Sequence, residues 1–298
     1  LLVTQFVDGA RQLVLVRNRR QQAAAPMEDG VSVTLLGTAS VGADPSLAII
    51  KTDIGRLRTY DGQLDLVGEA RFTSHLTSAV AGPGQVVYRD SGLNLISLDG
   101  TFTRGGGPLA ETWRQPVSSG SAEFLTFALR PGTQVTAQAG VDDQGVPFLE
   151  LIGASGTRLW RRGFPDAQSP PSSLLFGQFG GSASLDLAGI VFGLDGVRQV
   201  VTVDGDTGQT IHSYASALAP PLFELLRIDD ETDDGLHELL LLHLVDVEKI
   251  DGGTLTRLGN TPIPPGNSRP VHNSVYQGPD GDATPDAVRV RARLGLLA

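Results

Sequence analysis

Short apolar runs recur along the whole chain, and turns containing Asp and Gly separate them. In residues 288–294, Val, Ala and Leu alternate with Arg, and this period of two predicts a strand with one buried and one wet face. The runs 13–16 and 200–203 are apolar or β-branched at successive positions, which predicts strands that are buried on both faces. The pattern therefore predicts an all-β protein.

The turn and the strand after it form a repeating unit. The units begin near residues 8, 45, 83, 142, 195, 230 and 280, and their mean spacing of about 45 residues is that of a four-stranded propeller blade. We therefore expect one β-propeller domain over residues 1–298, with about seven blades and an incomplete terminal blade that either residues 1–6 or further chain would complete. The unequal intervals predict loop insertions at residues 104–120 and 165–173, which are rich in Gly, Pro and Ser.

Two local features sharpen this prediction. Residues 236–245 contain Leu and Glu, which also favour a helix, and that alternative stays open. The Asp/Gly loop before this segment and the apolar residues all around it favour a strand. Asp204-Gly205 and Asp251-Gly252 lie between strand-like runs, so we expect hairpin turns with positive φ at both.

Composition and charge exclude several classes of chemistry and of partner. The chain has 37 Gly and 18 Pro, as expected for many turns, and it has no Cys, which excludes disulfides and thiolate chemistry. The net charge of −10 repels phosphate backbones and anionic lipids, so nucleic acid is not an expected partner. No apolar run is long enough to span a bilayer. The chain begins with Leu1 and its only Met is Met27, which predicts a segment of a longer protein.

An acidic loop precedes the apolar run near residue 240. Its sequence, D-E-T-D-D-G-L-H-E-L over residues 230–239, resembles the D-x-D-x-D-G-x-x-D-L loop of FG-GAP/VCBS repeats, which build the propellers of integrin α-subunits and of bacterial surface proteins. Residues 278–288, G-P-D-G-D-A-T-P-D-A-V, resemble a second copy. This resemblance implies a calcium-binding propeller that acts outside the cytoplasm.

The chemistry of the first loop suits a cation. Ca²⁺ takes six to eight oxygen ligands, and carboxylates at alternate positions converge when a loop curls around a Gly. The predicted ligands are the side chains of Asp230, Thr232, Asp234 and Glu238, with the backbone carbonyl of Leu236. A slipped register that uses Asp229, Glu231 and Asp233 stays open, as does a solvated acidic turn without an ion.

The second loop offers a weaker Ca²⁺ site. Asp280, Asp282 and Asp286 occupy the third, fifth and ninth positions, but Gly278 and Ala283 depart from the pattern at the first and sixth.

A different motif occurs at residues 203–211, V-D-G-D-T-G-Q-T-I. It resembles the D-x-x-T-G-x-x-x-W turn of PQQ-like propellers, with Ile211 or His212 where Trp is usual. If the protein is an enzyme, this resemblance implies a quinone-dependent dehydrogenase, but the paired cysteines of that family are missing. Trp113 and Trp160 are expected to pack between blades.

Three function classes follow. We expect a non-catalytic, Ca²⁺-stabilised interaction or scaffold module with a protein partner, located extracellularly, at the cell surface or in the periplasm. A carbohydrate-binding or carbohydrate-active propeller is the alternative, and a quinoprotein is the third class. No nucleophile elbow or P-loop is present, and the spacing of His237, Glu238 and His243 does not match a zinc-protease helix.

Overall fold

The computed structural model is built from short antiparallel strands. It describes residues 2–7, 10–17, 20–26, 33–41, 44–52, 56–60, 63–71, 78–82, 85–90, 94–99, 110–117, 123–216, 222–228, 230–243 and 246–262. The predicted strand at 288–294 and the unit near residue 280 lie outside these residues, and the single domain over residues 1–298 stays a prediction.

Within the described residues, 23 strands form six sheets. The first sheet has β1 (Leu2–Val7), β2 (Ala10–Arg17) and β3 (Arg20–Pro26). The second has β4 (Val33–Val41), β5 (Asp44–Thr52), β6 (Arg56–Tyr60) and β7 (Leu66–Arg71). The third has β8 (Ser78–Gly82), β9 (Gln85–Arg89), β10 (Asn94–Asp99) and β11 (Glu111–Pro116). The fourth has β12 (Glu123–Arg130), β13 (Thr133–Val141), β14 (Pro147–Gly153) and β15 (Arg158–Gly163). The fifth has β16 (Ser172–Gly177), β17 (Asp186–Phe192), β18 (Arg198–Val203) and β19 (Thr210–Ala215). The sixth has β20 (Leu222–Ile228), β21 (Glu238–His243), β22 (Asp246–Ile250) and β23 (Arg257–Pro262).

Each sheet is a meander in which consecutive strands pair. The first strands of the second to sixth sheets begin at Val33, Ser78, Glu123, Ser172 and Leu222, so the sheets repeat every 45 to 50 residues. Short connections explain this order, because antiparallel neighbours need only a tight turn between them. The chain divides into two compact units, one up to Arg114 and one from Gln115, and the fourth, fifth and sixth sheets belong to the second.

The structure corrects the phase of the sequence repeat. The Asp142 and Asp195 turns join the second and third strands of their sheets, whereas the Asp230 loop joins the first and second. The sequence units differ in length because similar acidic turns occur before the second strand in one sheet and after the second strand in others. The expected insertion at residues 104–120 is also wrong in part, because β11 occupies residues 111–116. Residues 238–243 are the strand β21, so the helix alternative is excluded there.

The core of unit two lies between its sheets. In β16, Leu174 packs into the cluster shared with the fourth sheet, while Leu175 packs into the cluster shared with the sixth. Stacking of Phe127 on Phe176, with ring centroids 4.8 Å apart, joins the fourth and fifth sheets. Val200 and Val203 enter opposite clusters, which confirms that residues 200–203 are buried on both faces.

Candidate functional site

The Asp230 loop is held together by its own carboxylates. Asp230 Oδ1 accepts a hydrogen bond from the Asp234 N–H at 3.3 Å, and Oδ2 accepts one from the Gly235 N–H at 2.7 Å. Asp234 Oδ1 accepts from the Leu236 N–H at 2.9 Å. Some desolvation of the Asp230 carboxyl acts to raise its pKa, but the backbone N–H donors outweigh it and lower the pKa below the ordinary value.

Glu238, which follows the loop in sequence, also accepts hydrogen bonds from its backbone. It is buried at the start of β21, and its two carboxylate oxygens accept the N–H groups of Glu231 and Thr232 at 2.9 and 3.0 Å. Asp233 takes a positive φ of 60°, so the loop curls tightly. The predicted ligands of the first loop are thus brought together, but the carboxylate oxygens of Asp230, Asp234 and Glu238 point at backbone donors rather than at one another.

The described part of the chain contains no group of three or more His, Asp or Glu side chains placed to hold a metal ion. Ca²⁺ at the Asp230 loop would therefore have to share oxygens that already accept backbone N–H bonds. The loop offers no ready-made cage, and the calcium site stays a prediction. Asp280, Asp282 and Asp286, the predicted ligands of the second loop, lie outside the described residues.

A corresponding residue in the fifth sheet explains what Glu238 does. Asp186 begins β17 as Glu238 begins β21, and it is also fully buried. Its Oδ2 accepts the N–H groups of Phe179 and Gly180 at 3.0 and 2.7 Å, and its Oδ1 accepts that of Gly205 at 3.2 Å. Burial raises the pKa of Asp186, although these backbone donors oppose the rise.

Sequence reasoning missed Asp186 because no acidic loop precedes it. The available signal was the acid–Leu pair that begins both strands, Asp186-Leu187 and Glu238-Leu239. At this position a carboxylate fixes the loop between the first and second strands by accepting its backbone N–H groups. Holding the loop is therefore the role that the structure gives to Glu238.

The PQQ-like motif forms a turn between β18 and β19. Asp204 Oδ1 accepts hydrogen bonds from the N–H and the hydroxyl of Thr207, both at 2.7 Å, and the Asp204 N–H donates to the Gln209 carbonyl at 2.8 Å. The turn joins an antiparallel hairpin, as expected, but positive φ occurs at Gly208 rather than at Asp204-Gly205, so that part of the prediction is wrong. The turn is longer than a two-residue hairpin loop, because its Asp and Thr side chains bridge it.

Trp160 joins this turn to the fourth sheet. The indole N–H of Trp160 donates to the Gly205 carbonyl at 2.8 Å, and its ring lies against Gly208. Trp160 is buried, as expected for packing between sheets. In β19 the residue at the corresponding register is His212, because Trp160 pairs with Leu151 and His212 pairs with Thr202.

One polar cluster between the fifth and sixth sheets contains Ser, His and Glu. Glu248 is 0% exposed and accepts hydrogen bonds from the hydroxyls of Tyr214, at 2.6 Å, and Ser216, at 2.5 Å. Nε2 of His243 lies 3.3 Å from Ser216 Oγ and 3.5 Å from Glu248 Oε2. Burial, followed by the bond to Glu248, raises the pKa of Tyr214 to about 12.

This cluster does not have the geometry of a catalytic triad. A triad needs the acid on Nδ1 of the imidazole and the nucleophile on Nε2. Here both contact Nε2, and Nδ1 of His243 is buried without a hydrogen-bond partner. The cluster instead links β19 to β22, and Arg257 supplies a countercharge at 3.1 Å from Glu248.

The described residues include no helix that is long and apolar enough to cross a membrane. No protein-family description matches the sequence, and no curated protein is similar enough in sequence to count as a relative.

Solved structures with a similar fold are β-propeller proteins. BBS1N, solved in complex with ARL6DN, superposes with a TM-score of 0.55 at 13% identity, covering 78% of this chain and 71% of that one. The Dos1 propeller gives a TM-score of 0.55 at 9% identity, covering 84% and 68%. Sqt1 of Saccharomyces cerevisiae gives 0.53 at 13% identity, covering 78% and 64%. At these identities the similarity concerns the fold alone. The repeated four-stranded antiparallel sheets and these neighbours confirm that the chain is an all-β propeller repeat protein.

Proposed function

We propose that this protein is a non-catalytic propeller module that binds or scaffolds protein partners. The observation that carries the proposal is the use of its buried polar groups. Asp186 and Glu238 hold loops, and Glu248 links two sheets, so these acids serve the framework rather than a reaction. Turns outside this framework, such as that at residues 143–145, are exposed, as a docking surface of a rigid scaffold requires.

A solved structure with a similar fold supports the proposal of a protein-binding module. BBS1N was solved in complex with another protein, ARL6DN. A propeller presents many loops from sheets that do not have to move, so partner binding costs little ordering of the scaffold.

The test is capture of a partner followed by reconstitution. Tagged protein is crosslinked in its own cells, and each captured protein is purified and mixed with the untagged chain. We expect one of them to form a defined complex on gel filtration, with crosslinks on exposed turns. If no captured protein forms a complex with the purified chain, the proposal is wrong.

We further propose that Ca²⁺ stabilises the Asp230 loop and, through Asp280, Asp282 and Asp286, a second loop. The FG-GAP/VCBS resemblance and the density of acids in residues 229–234 support this. A ligand that binds only the native state raises its stability by about 2.7 kcal/mol at one hundred times its Kd. We therefore expect the melting temperature to rise in millimolar Ca²⁺ and to fall with EDTA.

The variant Asp234→Ala tests the first loop, and Asp195→Ala is a matched control. Each Asp accepts a bond from the N–H two residues later at 2.9 Å, so both variants lose the same turn interaction. Only Asp234→Ala should reduce the response to Ca²⁺. An unchanged melting temperature of the wild-type protein in Ca²⁺ would show that neither loop holds the ion.

We also propose an extracellular, cell-surface or periplasmic location, which the same resemblance supports. Protease treatment of intact cells and of opened periplasm should degrade the protein before cytoplasmic markers. Protection until the cytoplasm is opened would contradict this location.

A further inference from the structure

The last strand of each four-stranded sheet in unit two, here called its outer strand, has one edge that no described strand pairs with. In the order β12-β13-β14-β15 the last strand pairs only with β14, and β19 and β23 are last in their sheets in the same way. A strand at the end of a sheet presents unpaired N–H and C=O groups, onto which another extended chain can pair. The three edges share one geometry, so their sequences can be compared directly.

The edge of β15 differs from the other two in charge. Its six residues include Arg158, Arg161 and Arg162, in a chain with 23 Lys and Arg among 298 residues and a net charge of −10. Strand β19 has no Lys or Arg, and β23 has only Arg257, which pairs with the buried Glu248 at 3.1 Å. The basic charge of the described outer strands in unit two is thus concentrated on β15.

One carboxylate contacts two of the three arginines. The buried Glu150 lies 2.7 Å from Arg161 and 4.0 Å from Arg158, at the same oxygen. No carboxylate in the described part of the chain lies within ion-pair distance of Arg162. One negative charge set against three positive charges leaves this edge about two charges positive.

An apolar side chain accompanies this charge. Leu159 is 50% exposed, although it lies in a strand whose neighbour Trp160 is buried. The register shifts at Leu159, where Leu151 pairs with Trp160 and Ile152 pairs with Arg158. An added strand would cover Leu159 and place its own side chains beside the arginines.

We propose that the edge of β15 binds an extended, acidic segment of a partner protein as a fifth strand of the fourth sheet. The inference rests on the proposed function, and it names the surface and the chemistry of one partner segment. Backbone pairing would supply affinity, and the two unmatched guanidinium charges would select acidic over basic segments. The competing role is edge protection, in which charged side chains keep other strands away.

The experiment uses the full chain and a fluorescein-labelled peptide of ten residues that alternates glutamate with valine. Fluorescence anisotropy measures its binding at low salt. A second peptide has lysine in place of glutamate, and a third has the acidic sequence with alternate backbone nitrogens methylated, which prevents strand pairing. We expect the acidic peptide to bind at least about tenfold more tightly than either of the others. Equal binding of the methylated peptide would show attraction by charge alone and would overturn strand addition.

A charge-matched pair of variants locates the site. Arg158→Gln with Arg162→Gln lowers the net charge by two and keeps the Arg161 contact to buried Glu150, and a melting temperature close to that of the wild type verifies its folding. Ser213→Glu with Ala215→Glu lowers it by the same amount on the exposed edge of β19. We expect the first variant to weaken binding about fivefold to tenfold, by loss of two surface ion pairs, and the second to change it less than twofold.

Failure of this inference is separable from failure of the proposed function. If the acidic peptide does not bind, or if both double variants weaken it equally, β15 is only a protected edge and the inference is wrong. In that case, a partner that forms a complex equally well with the wild-type chain and with the Arg158→Gln, Arg162→Gln variant would still support the scaffold function.

Discussion

Two corresponding turns of unit two share one pattern of hydrogen bonds and differ in sequence at their third, fifth and sixth positions. The turn at residues 204–209 joins β18 to β19, and the turn at 251–256 joins β22 to β23. In both, Asp Oδ1 accepts the N–H and hydroxyl of the Thr three residues later, at 2.7 Å for Asp204 and at 2.7 and 2.9 Å for Asp251. Both close with a backbone bond from the Asp N–H, at 2.8 and 2.9 Å.

The fifth position separates the two turns. Gly208 has a φ of 72° and lies under the ring of Trp160, whereas Leu255 has a φ of 51° and is buried in the cluster of Phe179 and Leu239. A left-handed conformation costs a residue with a side chain about 1 kcal/mol, and burial of a Leu contributes about 2 kcal/mol. The hydrogen bonds within each turn therefore fix the backbone conformation at this position, and packing against the neighbouring sheet determines which side chain fits there.

The largest effect should come from the Gly that both turns share. A Cβ on Gly205 would lie 2.0 Å from the Leu185 carbonyl oxygen, and one on Gly252 would lie 1.9 Å from that of His237. Because the obstacle is backbone in both cases, Gly205→Ala and Gly252→Ala should each lower the free energy of unfolding by about 3 kcal/mol. Urea denaturation measures both. A loss below about 1 kcal/mol at either Gly would show that the two turns are not equivalent.

An intermediate effect should come from the fifth position, where one turn has Gly208 and the other has Leu255. At Gly208 an added Cβ meets the Trp160 ring at 2.7 Å as well as an unfavourable φ, so Gly208→Ala should cost about 2–3 kcal/mol. Gly196 has a φ of 81° with nothing within 4 Å, so Gly196→Ala should cost only about 1 kcal/mol. Urea denaturation gives the free energy of unfolding of both variants, and their difference measures the Trp160 contact. Equal losses would mean that the indole ring moves aside at little energetic cost.

The smallest effect should come from removing the Asp side chains. Asp204→Ala and Asp251→Ala each lose the bonds to one Thr at an exposed turn, and Asp204→Ala also loses a longer bond from the Asp206 N–H at 3.1 Å, so each should cost about 1 kcal/mol. Agreement within about 0.5 kcal/mol in urea denaturation would support a common pattern of hydrogen bonds. A clearly larger loss at Asp204 would show that the Asp206 contacts to Arg130 and Ser184 depend on it.

Local sequence patterns were sufficient to predict many of the strands and the fold class. Residues 200–203 are apolar or β-branched at successive positions because β18 is buried on both faces, and the Asp-Gly pairs end strands because a turn needs small, polar residues. Residues 236–245 were ambiguous between strand and helix, since Leu suits both, and pairing of β21 with β20 and β22 settled the choice.

Contacts distant in sequence decided the rest. Asp186 and Glu238 lie 52 positions apart and look unrelated in the chain, but each begins a second strand and holds the loop before it. The sequence showed Glu238 among neighbouring acids and so favoured a shared cation, while folding directed its oxygens to backbone N–H groups. A carboxylate accepts whichever donors the fold brings within about 3 Å, and only the packing of strands determines those donors.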